Sequence, residues 1–318
     1  MQHGRAPIIP RILVVGTGEL GLSVIRALAA RAGPAGTRIG ALLRPDAAPS
    51  PSPSPTPARR TVLAALAQLD VTPVYADIAT ASASALAEVF RPFQTVVNCT
   101  GFVGGPGTQF KLTTAALEAG VERYVPWQFG VDYDTIEAGS GGGIFDEQIA
   151  VRALLRAQQA SCWTIVSTGM FTSFLFEPAF GVANLQQMSV HALGSWNTRV
   201  TVTTAEDIGK LTADILFTHA PGTNRIFFTA GETLSYGRLA DVIEQVFQTK
   251  VARTEWTVER LRQDLARQPN DVMRKYRLAF AEEPGVAWDP GITYNARKGI
   301  PTDDVAAFLR RIALAQSV

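Results

Sequence analysis

The apolar positions of this chain change period in a regular way. Ile12–Val15 is a continuous apolar run, the pattern of a strand buried on both faces, and from Glu19 to about Arg31 apolar residues recur every three or four positions, as on one face of a helix. The same pairing then repeats. Strands are predicted at Thr37–Leu43, Thr72–Tyr75, Thr95–Cys99, Tyr124–Pro126 and Trp163–Ser167, with helices at about Arg60–Leu69, Ala83–Phe90, Thr108–Ala119 and Phe145–Gln158. Short apolar runs alternating with helices of this length imply a mostly parallel sheet covered on both faces, a doubly wound Rossmann-type α/β fold. After about Asn184 the rhythm loosens. Arg199–Val202 and Arg225–Thr229 are strand-like, and Thr204–Phe217 (with Asp207 in its first turn), Leu234–Phe247, Val258–Arg267 and Asp303–Leu314 read as helices. The expected organisation is a dinucleotide-binding domain over 1–167, rejoined by 198–230, with 168–197 and 231–318 forming a smaller C-terminal substrate-binding portion. No internal repeat is visible.

The junction of the first strand and helix carries the sharpest chemistry. It reads Gly16-Thr17-Gly18-Glu19-Leu20-Gly21, with glycine at the three positions of G-x-G-x-x-G. The first glycine permits the turn, the second lets a pyrophosphate approach the backbone, and the third lets helix and strand pack closely. The helix N-terminus adds free N–H groups and partial positive charge. These six residues are therefore the expected pyrophosphate cradle of a dinucleotide site. At the end of the second strand an NAD-preferring site usually has an acidic residue for the ribose hydroxyls. Here Arg44 stands there, and Arg59 and Arg60 follow after a spacer, which favours a 2′-phosphate and hence NADPH; the bland alternative for Arg44 is a solvated strand-end charge. The spacer, Pro49–Pro57, has proline at every second residue, so it is expected to be an extended loop beside the adenosine end, more an insertion than a docking element.

Composition narrows the function by exclusion. The chain has 318 residues, 47% of them hydrophobic and 18% charged, with a net charge of +1, so nothing points to nucleic acid or an anionic membrane. No apolar run has membrane-spanning length, and the N-terminus lacks a signal-peptide core. Cys99 and Cys162 are too few for a disulfide scaffold and both adjoin apolar strand patterns; buried free thiols in a reducing cytoplasm are expected. His3, His191 and His219 are scattered without ligand spacing, so no metal site is expected. The expected partner is a small molecule; a homodimer is one assembly open to such a chain.

Ligands of open α/β sheets lie beyond the carboxyl ends of the strands. That places Thr100, Gly101 and Phe102, with the glycine-rich stretch to Gly107, on the cofactor side. Pro126–Asp134 follows the fifth strand and brings Trp127, Gln128, Phe129 and Tyr133 to where a substrate would meet the nicotinamide. Met170, Phe171, Phe174 and Phe176 follow the sixth strand; they suit either a core or the wall of an aromatic-substrate site.

The segment Pro126-Trp127-Gln128-Phe129-Gly130, with the opening GTGELG, resembles the isoflavone reductase-like, NmrA-like branch of the atypical short-chain dehydrogenases, which carries Pro-Ser-Glu-Phe-Gly after strand five. The resemblance extends over nearly the whole chain and includes Gln109, Arg123-Tyr124 and Val151-Arg152. It is greatest to microbial members labelled aromatic alcohol reductases, through PWQFGVDYD, FDEQ and STGMFTSFLFEP. Plant relatives reduce isoflavones, lignans and phenylpropanoid ethers or esters with NADPH, whereas NmrA itself senses oxidised dinucleotide. The resemblance implies an NADPH-dependent reductase of a small aromatic or phenolic substrate, with Asp77 at the adenine and the substrate held against Phe129, Met170, Phe171 and Phe174. A non-catalytic dinucleotide sensor and an enzyme using the same cleft for non-redox chemistry are the alternatives. Two departures stand out. The glycine motif is one residue shorter than the usual GxTGxxG, and the family's lysine in the helix after the Pro-x-x-Phe-Gly loop aligns with Gln148. Glutamine has no useful pKa. The catalytic candidates are therefore Gln148, as a substrate-orienting donor, and Tyr133, as an acid towards a developing alkoxide, with Asp132, Asp134, Asp146 and Glu147 nearby. The Tyr-x-x-x-Lys spacing at Tyr294–Lys298 lies far from the expected catalytic helix and is read as coincidence.

Overall fold

The computed structural model describes residues 11–45, 56–101, 104–282 and 284–316. His3, Phe102 and most of the proline-rich spacer, residues 49–55, fall outside them. The βα alternation expected from the apolar periodicity runs as β1 (Arg11–Val15), α1 (Glu19–Ala35), β2 (Arg38–Leu43), α2 (Pro57–Gln68), β3 (Thr72–Tyr75), α3 (Ala83–Phe90), β4 (Thr95–Asn98), α4 (Thr108–Ala119), β5 (Arg123–Val125), α5 (Asp146–Arg156) and β6 (Cys162–Ser167). It continues through β7 (Met170–Phe171), β8 (Ala183–Asn184), β9 (Ser189–Leu193), β10 (Arg199–Thr203), α6 (Ala205–Thr218), β11 (Arg225–Phe228), β12 (Glu232–Ser235), α7 (Tyr236–Phe247), β13 (Ala252–Trp256), α8 (Val258–Arg267), α9 (Val272–Glu282), α10 (Tyr294–Lys298) and α11 (Val305–Gln316).

Seven strands form one sheet in the order β11-β6-β5-β4-β1-β2-β3, with parallel pairing from β3 through to β6. This is a Rossmann-like α/β fold. The chain winds outward in both directions from β1 and β4, which pair with Val15 opposite Asn98. The carboxyl ends of these two strands form the topological switch point, where open α/β sheets take their ligands.

By internal contacts the chain divides into two compact units. One takes the chain up to Trp127 with Val151–Ile165 and Gly209–Arg225; the other takes Gln128–Ala150, Val166–Ile208 and the chain from Ile226 onward. In the first unit, Leu13, Val14, Val24, Ile25, Leu28, Val96 and Val97 are fully buried between sheet and helices. Arg123 is also buried; its guanidinium donates to the carbonyls of Leu216 (3.1 Å) and His219 (2.7 Å) at the end of α6. In the second unit two small three-stranded sheets, β12-β10-β7 and β13-β9-β8, share a core in which Phe145 meets Tyr133, Tyr276 and Phe280 edge-on.

Several boundaries differ from the expected ones for identifiable reasons. Helix α1 runs through Gly33 and Pro34 to a left-handed Gly36 (φ 63°), whose N–H bonds back to Gly33. Helix α2 begins at Pro57 rather than Arg60, because the Thr56 side chain accepts from Arg59 N–H and proline suits the first helical position. The segment expected as one helix over Leu234–Phe247 is a strand and a helix: Leu234 pairs with Val200 across β10, and Ser235 caps α7. Cys162 is half-buried, not buried as expected, whereas Cys99 is buried; both are free thiols.

Candidate functional site

In the first unit the glycine turn has the geometry that a dinucleotide cradle needs. Gly16 has φ +98°, and a Cβ there would stand 3.1 Å from the Cys99 carbonyl. A Cβ on Gly21 would lie 2.7 Å from the Gly16 carbonyl carbon and overlap its oxygen, so only glycine lets α1 press against the strand end. A Cβ on Gly18 would meet nothing within 4 Å among the described residues. Gly18 is also the N-cap of α1 and provides no side-chain cap. The turn is thus closed where helix meets strand and open at the helix N-terminus, the arrangement that presents backbone N–H groups to a pyrophosphate. Thr17, Glu19 and Leu20 complete this turn, Leu20 buried beneath it.

Charged side chains stand just past the ends of β2 and β3. Arg44 is exposed just past β2, and its backbone carbonyl accepts from the Arg59 guanidinium at 2.9 Å. Asp77 follows β3. Its carboxylate is held below the ordinary range, first by the Ala79 N–H at 2.9 Å and with a further contribution from the positive charge of Arg44.

At the end of β4 a buried amide network holds the loop that closes the cradle. Asn98 Nδ2 donates to Gln109 Oε1 (2.7 Å) and to the Tyr124 hydroxyl (3.3 Å), while Asn98 Oδ1 accepts from the Thr100 N–H and hydroxyl. Gln109 Nε2 donates to Thr100 Oγ1 at 3.2 Å and to the Gly101 carbonyl. Burial pushes the Tyr124 phenol up to about 12. Gly101 has φ +61°, and the Trp127 indole lies 3.8 Å from where its Cβ would stand. The role of Asn98 was not anticipated from the sequence, yet a polar residue ending the run Thr-Val-Val-Asn is the kind of signal that marks one.

In the second unit two loops are stitched together. The Gly130 carbonyl accepts from the N–H groups of Thr168 and Gly169, both at 3.0 Å, and Thr203 Oγ1 donates to the Thr168 carbonyl at 2.7 Å. Gly169 is left-handed (φ +71°), and any Cβ would collide with Thr201. Phe129 is buried. Gln128 Nε2 donates both to the backbone carbonyl of Gln148 (3.1 Å) and to its Oε1 (2.8 Å), and both amides are 0% exposed. Gln148 Nε2 is buried with no hydrogen-bond partner among the described residues.

The remaining candidates in this unit take the following places. Tyr133 is buried, edge-on to Phe145 at 5.5 Å, with its ring tip 3.3 Å from the position of a Gly130 Cβ. Asp146 accepts from the Gly139 N–H at 2.8 Å and Asp132 from that of Asp134 at 3.2 Å, so both close local turns. Met170 is in the core; Phe171 is half-buried; Phe174 is half-buried, stacked on Phe180 at 4.5 Å and edge-on to Tyr276. Among the described residues there is no group of three or more His, Cys, Asp or Glu able to hold a metal, and no helix long and apolar enough to cross a membrane.

Known proteins resemble this chain in sequence and in fold. An "NmrA-like family domain-containing oxidoreductase" of Gibberella moniliformis is 42% identical over 306 residues, 96% of this chain and 99% of that one. Among solved structures, an isoflavone reductase superposes with a TM-score of 0.73 at 20% identity, covering 96% of this chain and 99% of its own. AtPrR2 with NADP⁺ and (+)pinoresinol gives 0.71 at 20% identity, over 95% and 98% of the two chains. The NADPH complex of the quinone oxidoreductase QOR2 from Escherichia coli gives 0.71 at 19% identity, over 95% and 99%. Residues 10–289 match the NmrA-like family, and the chain belongs to it.

Proposed function

We propose that this protein is an NADPH-dependent oxidoreductase that delivers hydride to a small aromatic substrate. The observation that carries the proposal is the glycine turn, closed by Gly16 and Gly21 and open at the uncapped Gly18. Gly16, Thr17, Gly18, Glu19, Leu20 and Gly21 would hold the pyrophosphate, Arg44 with Arg59 the 2′-phosphate, Asp77 the adenine, and Thr100 and Gly101 the nicotinamide side. The 42%-identical relative, named as an oxidoreductase, and the NADP⁺ and NADPH complexes among the fold neighbours support this reading. When bound, the reduced nicotinamide supplies the hydride.

The protein's own part is to bind, orient and exclude water. In the second unit Gln128 and Phe129 complete the cofactor's surroundings in this proposal, and Gln148 is the donor that orients the substrate. Phe171 and Phe174, half-buried, with Met170 in the core, are the proposed substrate contacts of this unit, and Trp127 is the one proposed in the first unit. Tyr133, packed against Gly130, holds the loop that carries Gln128, so its part in the reaction is exerted through that loop. The two free thiols suit a reducing compartment such as the cytoplasm.

A titration with NADPH, NADP⁺, NADH and NAD⁺, read by tryptophan fluorescence, tests the proposal. NADPH binding at least as tightly as NADP⁺, and far more tightly than NADH, is expected. A clear preference for the oxidised forms would point instead to a dinucleotide sensor, and no binding at all would overturn the assignment of the glycine turn.

A further inference from the structure

Strand β13, in the second unit, leaves one edge of its sheet open. It is the end strand of the sheet β13-β9-β8 and pairs in parallel with β9, Ala252 opposite Ser189 and Trp256 opposite Leu193. The Ala252 N–H donates to the Met188 carbonyl (2.8 Å), and the Trp256 carbonyl accepts from the Gly194 N–H (2.9 Å). Backbone groups alternate in direction along a strand, so Ala252, Thr254 and Trp256 face β9, while Arg253 and Glu255 turn their N–H and C=O groups outward. No described residue bonds to those four outward groups. Natural edges are blunted by proline, by shortness or by charged side chains. Edge strand β3 carries Pro73, and β8 has only two residues. Strand β13 has five residues and no proline, and its two outward-turned residues carry charges of opposite sign.

We propose that β13 is a self-association strand, pairing antiparallel with β13 of a second copy of this chain across a two-fold axis at Thr254. Three antiparallel registers set one of the two charges against another. A two-fold at Arg253 sets that residue against Arg253 of the second copy, and a two-fold at Glu255 sets Glu255 against its own counterpart. Both put like charges directly opposite, which destabilises a strand pair. A two-fold at Thr254 sets Arg253 against Glu255 of the second copy, twice over, and lets the outward groups exchange four N–H···O=C bonds. The same register puts Trp256 opposite Ala252, large against small. The side chains are prepared for this pairing. Arg253 Nη2 is held by Asp241 Oδ1 (2.7 Å) and Glu244 Oε2 (3.4 Å) of α7; both carboxylates use the same nitrogen, so the guanidinium is fixed with Nε and Nη1 left to donate. Glu255 is exposed and accepts from the Trp196 N–H at 3.3 Å, and among the described residues no cation pairs with it. The run Ala-Arg-Thr-Glu-Trp thus complements itself, which selects a second copy over an unrelated extended peptide. A five-residue edge falls short of the roughly 1,000 Å² of a stable interface, so the dimer is a weak one.

The test is sedimentation velocity of the full chain from about 1 to about 300 μM, the range in which a weak interface fills. The wild type should shift from monomer to dimer as concentration rises, and less so in about 1 M salt, which screens the cross-strand charges. Glu255→Arg sets a second guanidinium against Arg253 at both cross-strand pairs and should raise the dimer Kd at least about tenfold. Thr254→Cys reports the register. At a non-hydrogen-bonded antiparallel pair the facing Cα atoms stand about 4.5 Å apart, within disulfide reach. Mild oxidation should therefore join the two introduced thiols, identified by mass spectrometry of a non-reduced digest, and adding Glu255→Arg to Thr254→Cys should abolish that link. Both positions are exposed, and circular dichroism checks that the variants keep the fold. A wild type that stays monomeric throughout overturns the inference and leaves the edge to an extended peptide of another protein. So does a Glu255→Arg variant that associates as the wild type does, or a Thr254→Cys variant whose introduced thiols stay unlinked. No readout uses the cofactor, so failure of the reductase reading leaves this inference standing.

Discussion

Two glycines of one turn should fail in opposite ways when each is replaced by alanine. At Gly21 the added Cβ would lie 2.7 Å from the Gly16 carbonyl carbon and overlap the carbonyl oxygen, and both are backbone atoms that cannot rotate aside. Helix α1 must therefore move away from the end of β1. Forcing a methyl into packed surroundings costs about 1–3 kcal/mol, and here the obstacle is backbone, so the upper part of that range applies. Alanine's better helix propensity returns about 1 kcal/mol. The net expectation for Gly21→Ala is a loss of about 2 kcal/mol, several degrees in Tm at this chain length. At Gly18 the φ of −74° suits any residue and the Cβ meets nothing described. The only intrinsic cost is alanine's weakness as an N-cap, about 0.5–1 kcal/mol. The methyl would, however, stand where the pyrophosphate must approach, and a misfit methyl in a binding site costs about 1.4–3 kcal/mol, or at least about tenfold in Kd. Thermal unfolding without ligand and NADPH titration of the two variants separate these effects. Gly18→Ala should melt close to the wild type and bind NADPH at least about tenfold more weakly; Gly21→Ala should melt several degrees lower. The steric argument is refuted if Gly18→Ala binds NADPH with unchanged Kd, or if Gly21→Ala melts with the wild type.

Three further outcomes follow from the same unit. Arg44→Glu should raise the Kd for NADPH about 10–100-fold and leave NADH unaffected, since it sets a carboxylate where a charge-assisted bond to the 2′-phosphate is expected; equal effects on both dinucleotides in parallel titrations would remove Arg44 from that role. Gln109→Glu keeps the acceptor for Asn98 but loses both donations, to Thr100 and Gly101, and buries a charge, so urea unfolding should show a loss of about 2–4 kcal/mol; a change under 0.5 kcal/mol would mean the network does not hold the loop. Stability should fall as pH rises from about 10 towards 12, because unfolding releases the Tyr124 phenol from about 12 to its ordinary 10, so the unfolded chain loses its proton first; Tyr124→Phe should lessen that fall in denaturant titrations across the window, and an unaltered alkaline slope would count against it.

The first unit was legible in the sequence because its constraints are local and repetitive. Gly21 is dictated by a backbone contact five residues away, Gly16 is marked by its place in the strand–turn–helix motif although its own contact is with Cys99, and each parallel strand is a short apolar run followed by its own helix. The second unit was less legible because its pairings are not local. Strand β13 (Ala252–Trp256) pairs in parallel with β9, and four of its five residues are exposed, so it carries no apolar run for a periodicity argument to find. Strand β12 was absorbed into the following helix because Leu234 continues the apolar spacing of α7; only its pairing with Val200 makes it a strand. The aromatic run after β6 suited both a core and a substrate wall, and the structure divides it, with Met170 in the core and Phe171 and Phe174 half-buried. Nothing in the spacing separates these, because the turn at Gly169 sets which way each residue faces.

The candidate chemistry of the second unit shows a further limit, and its cause is electrostatic. A search for acid–base groups in the sequence settles on carboxylates and a tyrosine: Asp132, Asp134, Asp146, Glu147 and Tyr133. In the fold, Asp132 and Asp146 close turns, Asp134 is exposed, and Tyr133 is packed in the core, while two neutral amides, Gln128 and Gln148, are among the fully buried polar residues. This sorting is what solvation demands. A carboxylate taken out of water without a partner costs far more than an amide, so the buried carboxylate of this unit, Asp207, is one that accepts from the Thr204 hydroxyl and the Asp303 N–H. The same sorting occurs independently at the end of β4, where Asn98 and Gln109 make the buried network. An amide is fixed in direction only when its neighbour is, and here the backbone carbonyl of Gln148 fixes both members of the pair. The sequence therefore shows that position 148 holds no titratable group, but only the fold shows that its amide is fully buried and paired with Gln128.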